Sequence, residues 1–217
     1  MKTELLDIRH MDCMDLMAEF PDNHFDLAVV DPPYGIGIND QFGKACKSKS
    51  SMFNQSKGVS ENGEWDNATP STEYFTELER VSKDRVIWGG NYFLDFLPST
   101  KCFLSWDKMN GTNNMADFEL AWTSFNKSCR RFSMHHFSAG YGEKIHICQK
   151  PIKLYDWIFA NYAEKGMKIL DTHLGSGSSA IASHYAGMHM TACELDEDYY
   201  KAACERIKAN TQQLSLF

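Results

Sequence analysis

Short, continuously apolar runs alternate with amphipathic stretches along the 217-residue chain. The run FDLAVV at 25–30 predicts a buried strand, because it is apolar at every position except Asp26 and two prolines follow it closely. Further apolar runs predict strands at 85–88, 102–106, 118–125, 168–170 and 189–193. Helical spacing predicts helices at 71–82, 92–97, 152–164, 179–186 and 197–208. This alternation favours a mostly parallel sheet with helices on both faces, so we predict one α/β domain over residues 1–210.

Charge is unevenly distributed along this acidic chain. The net charge of −7 argues mildly against a nucleic-acid partner. Basic residues nevertheless concentrate in two segments: residues 35–60 hold four lysines and one acid, and residues 126–153 hold six Lys or Arg and one acid. Solvated loops would account for both segments. Residues 37–70 are polar and lack periodicity, and an insertion of this length is usually functional or disordered.

Cysteine usage and hydropathy place limits on the class of protein. Seven cysteines without a CxxC pair favour reduced thiols and a cytoplasmic location. No apolar run approaches the roughly 20 residues that span a bilayer, so we expect no membrane association. His146 and Cys148 are close in sequence, but no second pair at ligand spacing follows, and we expect no metal site.

A glycine-rich turn follows the strand predicted at 168–170. Asp171 directly follows this predicted strand, and Gly175 and Gly177 lie in the turn. Glu194 ends the next predicted strand, 19 residues after Gly175. A carboxylate there can accept hydrogen bonds from two ribose hydroxyls, and glycines let a ligand approach the backbone. The spacing fits an NAD enzyme equally well, and a simple tight turn also explains the glycines. A nucleotide-binding unit this late in a chain is, however, unusual for a dehydrogenase.

The tetrapeptide Asp31-Pro32-Pro33-Tyr34 follows the strand predicted at 25–30. Methylation of an exocyclic amine needs acceptors for its two hydrogens, since the nitrogen lone pair is delocalised into the ring. The Asp31 carboxylate and the Pro32 carbonyl can supply them, and the prolines make their direction rigid. Tyr34 offers a flat face for a base swung out of the helix. A strand ending in a proline turn with a surface tyrosine is the plainer interpretation.

The order of these motifs resembles the β-class of DNA amino-methyltransferases over nearly the whole chain. Matching blocks are HMDCMDLMAEFPDNHFDLAVVDPPYG, VIWGGNYF with FLSWDK, QKPIKLYDWIFANYAEKGMKILDTHLGSGSSAIA, and CELDEDYYKAACERI. The resemblance implies a Rossmann-like class I methyltransferase fold with circularly permuted motif order, and S-adenosylmethionine as cofactor. The cofactor contacts that we expect are Asp12, Asp31, Lys150, Asp171, Gly175, Gly177 and Glu194. Asp at the first DPPY position goes mostly with adenine N6, and N4-cytosine methylation is the alternative.

Two segments depart from the usual pattern of this family. Thr172-His173 stands where Pro-Phe is more common, and His173 is expected to pack rather than to catalyse. The candidate target-recognition region, 127–149, is very short, so specificity could be shared with the 37–70 insertion or completed by a second subunit of a homodimer. Both basic segments are expected to flank the DPPY cleft, where their Lys and Arg side chains would contact the phosphates of double-stranded DNA. The expected contacts are Lys44, Lys47, Lys49, Arg130 and Arg131.

The last residues, 211–217, form a tail. Gln213, Leu214, Leu216 and Phe217 resemble the QLxLF peptide that docks bacterial proteins on the sliding clamp, although a frayed end is the simpler interpretation. Three other functions stay open at this point: an RNA or protein amide methyltransferase, an NAD-binding enzyme, and a DNA-binding module without catalysis. A phage or prophage origin and a partner restriction nuclease also stay open.

Overall fold

The computed structural model describes residues 1–37, 66, 68–111, 116–135, 145–146 and 148–212. These residues form strands β1 Leu6–His10, β2 Phe25–Val30, β3 Ser82–Trp88, β4 Phe103–Asp107, β5 Phe118–Thr123, β6 Arg130–Ser133, β7 Lys168–Asp171 and β8 His189–Glu194. The helices are α1 Cys13–Ala18, α2 Thr72–Val81, α3 Ile152–Tyr162, α4 Ser178–Tyr185 and α5 Glu197–Thr211, with a 3-10 turn at Gly90–Tyr92.

The eight strands form one mixed sheet in the order β1-β8-β7-β2-β3-β5-β4-β6. Neighbours from β1 to β3 are parallel, β5 is antiparallel to both β3 and β4, and β6 is parallel to β4. Strand β2 lies between β7 and β3, so residues from both halves of the chain meet at the centre. The predicted α/β class with a mostly parallel sheet is confirmed.

Strand β2 is apolar at nearly every position because helices cover both faces of the sheet. Leu27 and Val29 belong to the hydrophobic cluster that includes residues of α3, α4 and α5. Ala28 and Val30 belong to the cluster that includes residues of α1 and α2. Because successive side chains of a strand point to opposite faces of the sheet, β2 contributes to both hydrophobic clusters.

The structure adds three elements that the sequence pattern did not predict: β1, α1 and β6. Strand β6 is a polar edge strand with β4 as its only partner among the described residues, so its sequence RRFS carries no apolar alternation. The helix predicted at 92–97 is wrong, because a 3-10 turn at Gly90–Tyr92 precedes non-helical turns there.

Several predicted features fall wholly or partly outside the described residues. They are most of the 37–70 insertion, residues 136–144 and 147 of the 127–149 region, and the tail residues Gln213, Leu214, Leu216 and Phe217. Within the described ranges, no helix is both long and apolar enough to cross a membrane.

Candidate active site

The carboxyl ends of four parallel strands meet at one edge of the sheet. Asp31 follows β2, and Asp171 ends β7, its parallel neighbour. Glu194 ends β8, and Asp12 lies two residues beyond β1. The Asp31–Tyr34 turn and the glycine loop after β7 therefore lie side by side, and both line a cavity of about 1050 Å³. Parallel pairing thus joins two motifs from opposite halves of the sequence.

The Asp31–Tyr34 turn is held by a carboxylate that the sequence pattern did not single out. The backbone amides of Tyr34 and Gly35 both donate to Asp66 Oδ1, at 2.8 and 2.9 Å. Asp66 is only 2% exposed. On the other side, Gly89 packs so closely that a Cβ there would lie 2.1 Å from Cε1 of Tyr34. The turn is therefore fixed from both sides, while Asp66 sits in a polar stretch whose pattern gives no indication of this role.

Tyr34 is oriented by its hydroxyl and by its ring. The hydroxyl donates to Asp31 Oδ1 at 2.6 Å. The ring stacks on Tyr92, with centroids 4.9 Å apart and planes within 16°. Burial, followed by the Asp31 charge, raises the pKa of the Tyr34 phenol well above its ordinary value, so the phenol stays a neutral donor. Tyr92 is 45% exposed, so the stacked pair extends from the cavity to solvent.

Lys150 links Asp31 to a second carboxylate. Its ammonium lies against Asp31 Oδ2, 3.3 Å from the Tyr34 hydroxyl and 3.2 Å from Glu119 Oε2. The other oxygen of Glu119 lies 2.6 Å from Lys108 Nζ. Burial alone would lower the pKa of Lys150, but Asp31 and Glu119 outweigh it and raise that pKa. Burial likewise opposes ionisation of Glu119, yet Lys150 and Lys108 hold its pKa below the ordinary value.

Asp12 and Glu194 line the opposite side of the cavity. Asp12 caps α1, because its Oδ1 accepts from the Met14 amide at 2.7 Å. Glu194 accepts from the Gly175 amide at 2.9 Å and from the Asp196 amide at 3.0 Å, and burial raises the pKa of its carboxyl. A Cβ on Gly175 would meet nothing closer than His146, at 3.9 Å. A Cβ at Gly175 would therefore touch the His146 ring without a clash, and Gly175 itself lines the cavity.

Asp171 and Gly177 were expected at the cofactor, but neither lines the cavity. Asp171 is buried beneath the loop, where it accepts from the Ser179 hydroxyl at 2.5 Å and from the His173 amide at 3.1 Å. Burial raises the pKa of Asp171 to about 7. Gly177 has φ +75°, and a Cβ there would lie 2.9 Å from the Ile207 side chain. Helix packing, rather than clearance for a ligand, thus requires this glycine.

His173 lines the cavity and packs edge-on against Tyr74. Its Nδ1 lies 2.9 Å from the Thr172 hydroxyl, and burial lowers the pKa of the imidazole to about 4. The ring is therefore neutral near pH 7.

The predicted DNA contacts are only partly described by the structure. Lys44, Lys47 and Lys49 lie outside the described residues, and neither arginine lines the cavity. Arg131 is 70% exposed, and its Nη1 lies 3.7 Å from Asp107 Oδ2, next to the cavity-lining Lys108. Arg130 begins β6 and borders a surface pocket with Tyr162, at the far end of α3. Arg130 thus does not flank the cleft as expected, because the amino end of β6 points away from it.

Comparison with known proteins adds four likenesses: one family model, one sequence relative and two solved structures. Residues 105–205 match a family model, N6/N4-type, described as a DNA methylase. The Escherichia coli K12 protein named "Putative methylase YubD" is 24% identical over 214 residues, which cover 91% of this chain and 88% of that protein. Among solved structures, the M1.HpyAVI complex with S-adenosylmethionine has a TM-score of 0.62 at 17% identity, covering 94% of this chain and 99% of the other. PvuII DNA methyltransferase, described as cytosine-N4-specific, has a TM-score of 0.58 at 13% identity, covering 98% and 93%.

Proposed function

Because the chain belongs to the N6/N4 family of DNA methylases, we propose that it methylates N6 of adenine in double-stranded DNA, with S-adenosylmethionine as methyl donor. One observation carries the proposal: a single cavity joins the Asp31–Tyr34 turn to Gly175 and Glu194. A donor and an acceptor must share one space for direct transfer, and positioning then supplies most of the rate.

The residues on the Glu194 side fit a nucleoside with an amino-acid chain. Glu194 presents a carboxylate at the end of β8, where ribose hydroxyls can donate to it. Asp12 lines the same cavity, and its carboxylate can accept a hydrogen bond from a base amine. Gly175 lines the cavity and has no side chain, so an extended ligand chain can pass close to its backbone. When bound, S-adenosylmethionine supplies a methyl group on a positively charged sulfur.

The residues on the Asp31 side fit an exocyclic amine. The Asp31 carboxylate can accept one amine hydrogen, and the carbonyl of Pro32, which also lines the cavity, can accept the other. Each Asp31 oxygen already accepts a donor, from Lys150 and from the Tyr34 hydroxyl, and a carboxylate oxygen has a second lone pair for the amine. Two acceptors aimed at one amine favour a pyramidal nitrogen whose lone pair is free to attack.

Aromatic rings at the cavity suit a base taken out of the duplex. Tyr34 and Tyr92 both line the cavity, and the partial exposure of Tyr92 gives a base an apolar surface along its path. Stacking on an aromatic ring contributes about 1–3 kcal/mol per base, which offsets part of the cost of unstacking. The site therefore combines a stacking surface with acceptors for the amine.

The choice of adenine rests on Asp31 at the first position of the DPPY turn, which in this family goes mostly with adenine N6. The test is to incubate the protein with S-adenosylmethionine and unmethylated DNA, digest to nucleosides, and identify the product by mass spectrometry. We expect N6-methyladenine. N4-methylcytosine would keep the mechanism and overturn the choice of base, whereas no methylated nucleoside from protein that binds the cofactor would refute the proposal.

A further inference from the structure

Four charged side chains of alternating sign, all of which line the cavity, form a row that runs from Lys108 to Asp31. Lys108 contacts Glu119 at 2.6 Å, Glu119 contacts Lys150 at 3.2 Å, and Lys150 contacts Asp31. Lys108 and Glu119 come from the ends of β4 and β5 that face the cavity, and Lys150 directly precedes the residue that caps α3. With Asp31 at the end of β2, the four charged residues therefore come from four separate elements that the fold brings together.

Burial makes this arrangement costly unless every charge is paired. The Lys150 side chain is 3% exposed, and its ammonium lies 5.3 Å from the centroid of the Trp88 ring. The side chains of Lys108 and Glu119 are 15% and 25% exposed. A buried ammonium with one carboxylate removed loses much of the compensation for its desolvation. Glu119 thus provides half of the negative charge that these contacts place around Lys150.

We propose that Glu119 is a positioning residue for methyl transfer: it fixes the Lys150 ammonium, which in turn holds the Asp31 carboxylate in the direction needed by the target amine. This inference rests on the proposed function. A lysine stem has four rotatable bonds, so a single ion pair leaves the ammonium several positions. Two carboxylates from separate elements, Asp31 and Glu119, restrict the Lys150 ammonium to a single position between them. Both oxygens of Glu119 contact lysines, which ties this carboxylate to Lys150, and the cycle described next separates this role from a direct contact with the substrate.

A double-mutant cycle on kcat tests this dependence. Glu119→Gln keeps the shape and removes the charge, and Lys150→Met keeps most of the stem and removes the ammonium. We expect Glu119→Gln to lower kcat by about tenfold or more while KM for DNA changes less than about threefold, because orientation and not binding is lost. In the Lys150→Met protein, the same Glu119→Gln change should alter kcat by less than about twofold. If Glu119→Gln instead lowers kcat by the same factor in the Lys150→Met protein as in the unaltered one, the proposal is overturned.

The matched control is Glu79→Gln, which removes the carboxylate of a surface pair with Arg85. The Glu79 side chain is 72% exposed and lies on α2, and we expect kcat to stay unchanged. If Glu119→Gln does not fold, Glu119→Asp keeps the charge but shortens the reach, and the same cycle applies to it.

A second readout separates this inference from the proposed function. The ammonium signal of Lys150 in ¹⁵N-edited NMR is identified by its loss in Lys150→Met. We expect it to shift or disappear in Glu119→Gln and to stay in Glu79→Gln, whether or not DNA is methylated. An unshifted signal in Glu119→Gln would overturn the inference. Absence of methylated DNA from the unaltered protein would instead refute the function.

Discussion

Replacing Gly177 by alanine separates packing from ligand clearance in the glycine loop. At φ +75° an L-residue costs about 1–2 kcal/mol. The new Cβ would also lie 2.9 Å from Cγ1 and Cδ1 of Ile207, which is fully buried and cannot swing away. Overpacking of this kind adds about 1–3 kcal/mol. We therefore expect Gly177→Ala to lower the free energy of unfolding by about 2–5 kcal/mol in total.

Gly166→Ala is the matched control, because Gly166 has φ +86° and a Cβ there would meet nothing within 4 Å. It should show the backbone cost alone, about 1–2 kcal/mol. Thermal unfolding measures the difference, which corresponds to about 2–12 °C in Tm for a chain of this size. Equal losses in the two variants would refute the packing argument. Unchanged stability of Gly177→Ala with a raised KM for S-adenosylmethionine would show that clearance for the cofactor requires this glycine.

Three further predictions follow from the site. Asp31→Ala should lower kcat by about 10²-fold or more in a methylation assay at saturating S-adenosylmethionine; retained turnover would contradict the role of Asp31. Burial raises the pKa of Asp171 to about 7 from 3.8, so its contribution to stability is present below about pH 4 and lost as pH rises through 7. In denaturant titrations, the free energy of unfolding of Asp171→Asn should therefore rise relative to that of the unaltered protein between about pH 4 and 8. A difference in unfolding free energy that stays constant over this range would argue against a raised pKa of Asp171. Arg131→Ala should weaken DNA binding and reduce its dependence on salt, as measured by fluorescence anisotropy, whereas Arg130→Ala, at the end of β6 away from the cavity, should change both less; a salt slope of Arg131→Ala identical to that of the unaltered protein would rule out a phosphate contact there.

The centre of the sheet could be predicted from the sequence because burial on both faces leaves a continuous apolar run, as in β2. The edges could not. Strand β1 reads LDIRH and β6 reads RRFS, and each pairs with one neighbour only among the described residues. Strand β1 has only two buried apolar positions, Leu6 and Ile8, and β6 has no buried position, so their strand conformation depends largely on that pairing. Helix α1 has six residues, too few for a periodic signal.

The site shows the same division. Asp31, Tyr34 and Glu194 could be singled out because each stands at a motif beside a predicted strand, and the structure places all three on the cavity. Asp66 and Glu119 were missed. Their roles arise from contacts with residues distant in the chain: Asp66 with the amide of Tyr34, 32 positions away, and Glu119 with Lys150. Local patterns carry no information on such contacts.

Parallel pairing of β2 with β7 and of β1 with β8 also has a consequence for biosynthesis. A ribosome makes the Asp31–Tyr34 turn more than 130 residues before the strands that complete the sheet around it. Until β7 emerges, one edge of β2 has no partner, and this edge belongs to one of the most apolar strands of the protein. Contacts this distant in sequence slow folding and expose aggregation-prone surface on the nascent chain. Growth temperature and chaperone supply should therefore govern the yield of active protein more strongly than its final stability does.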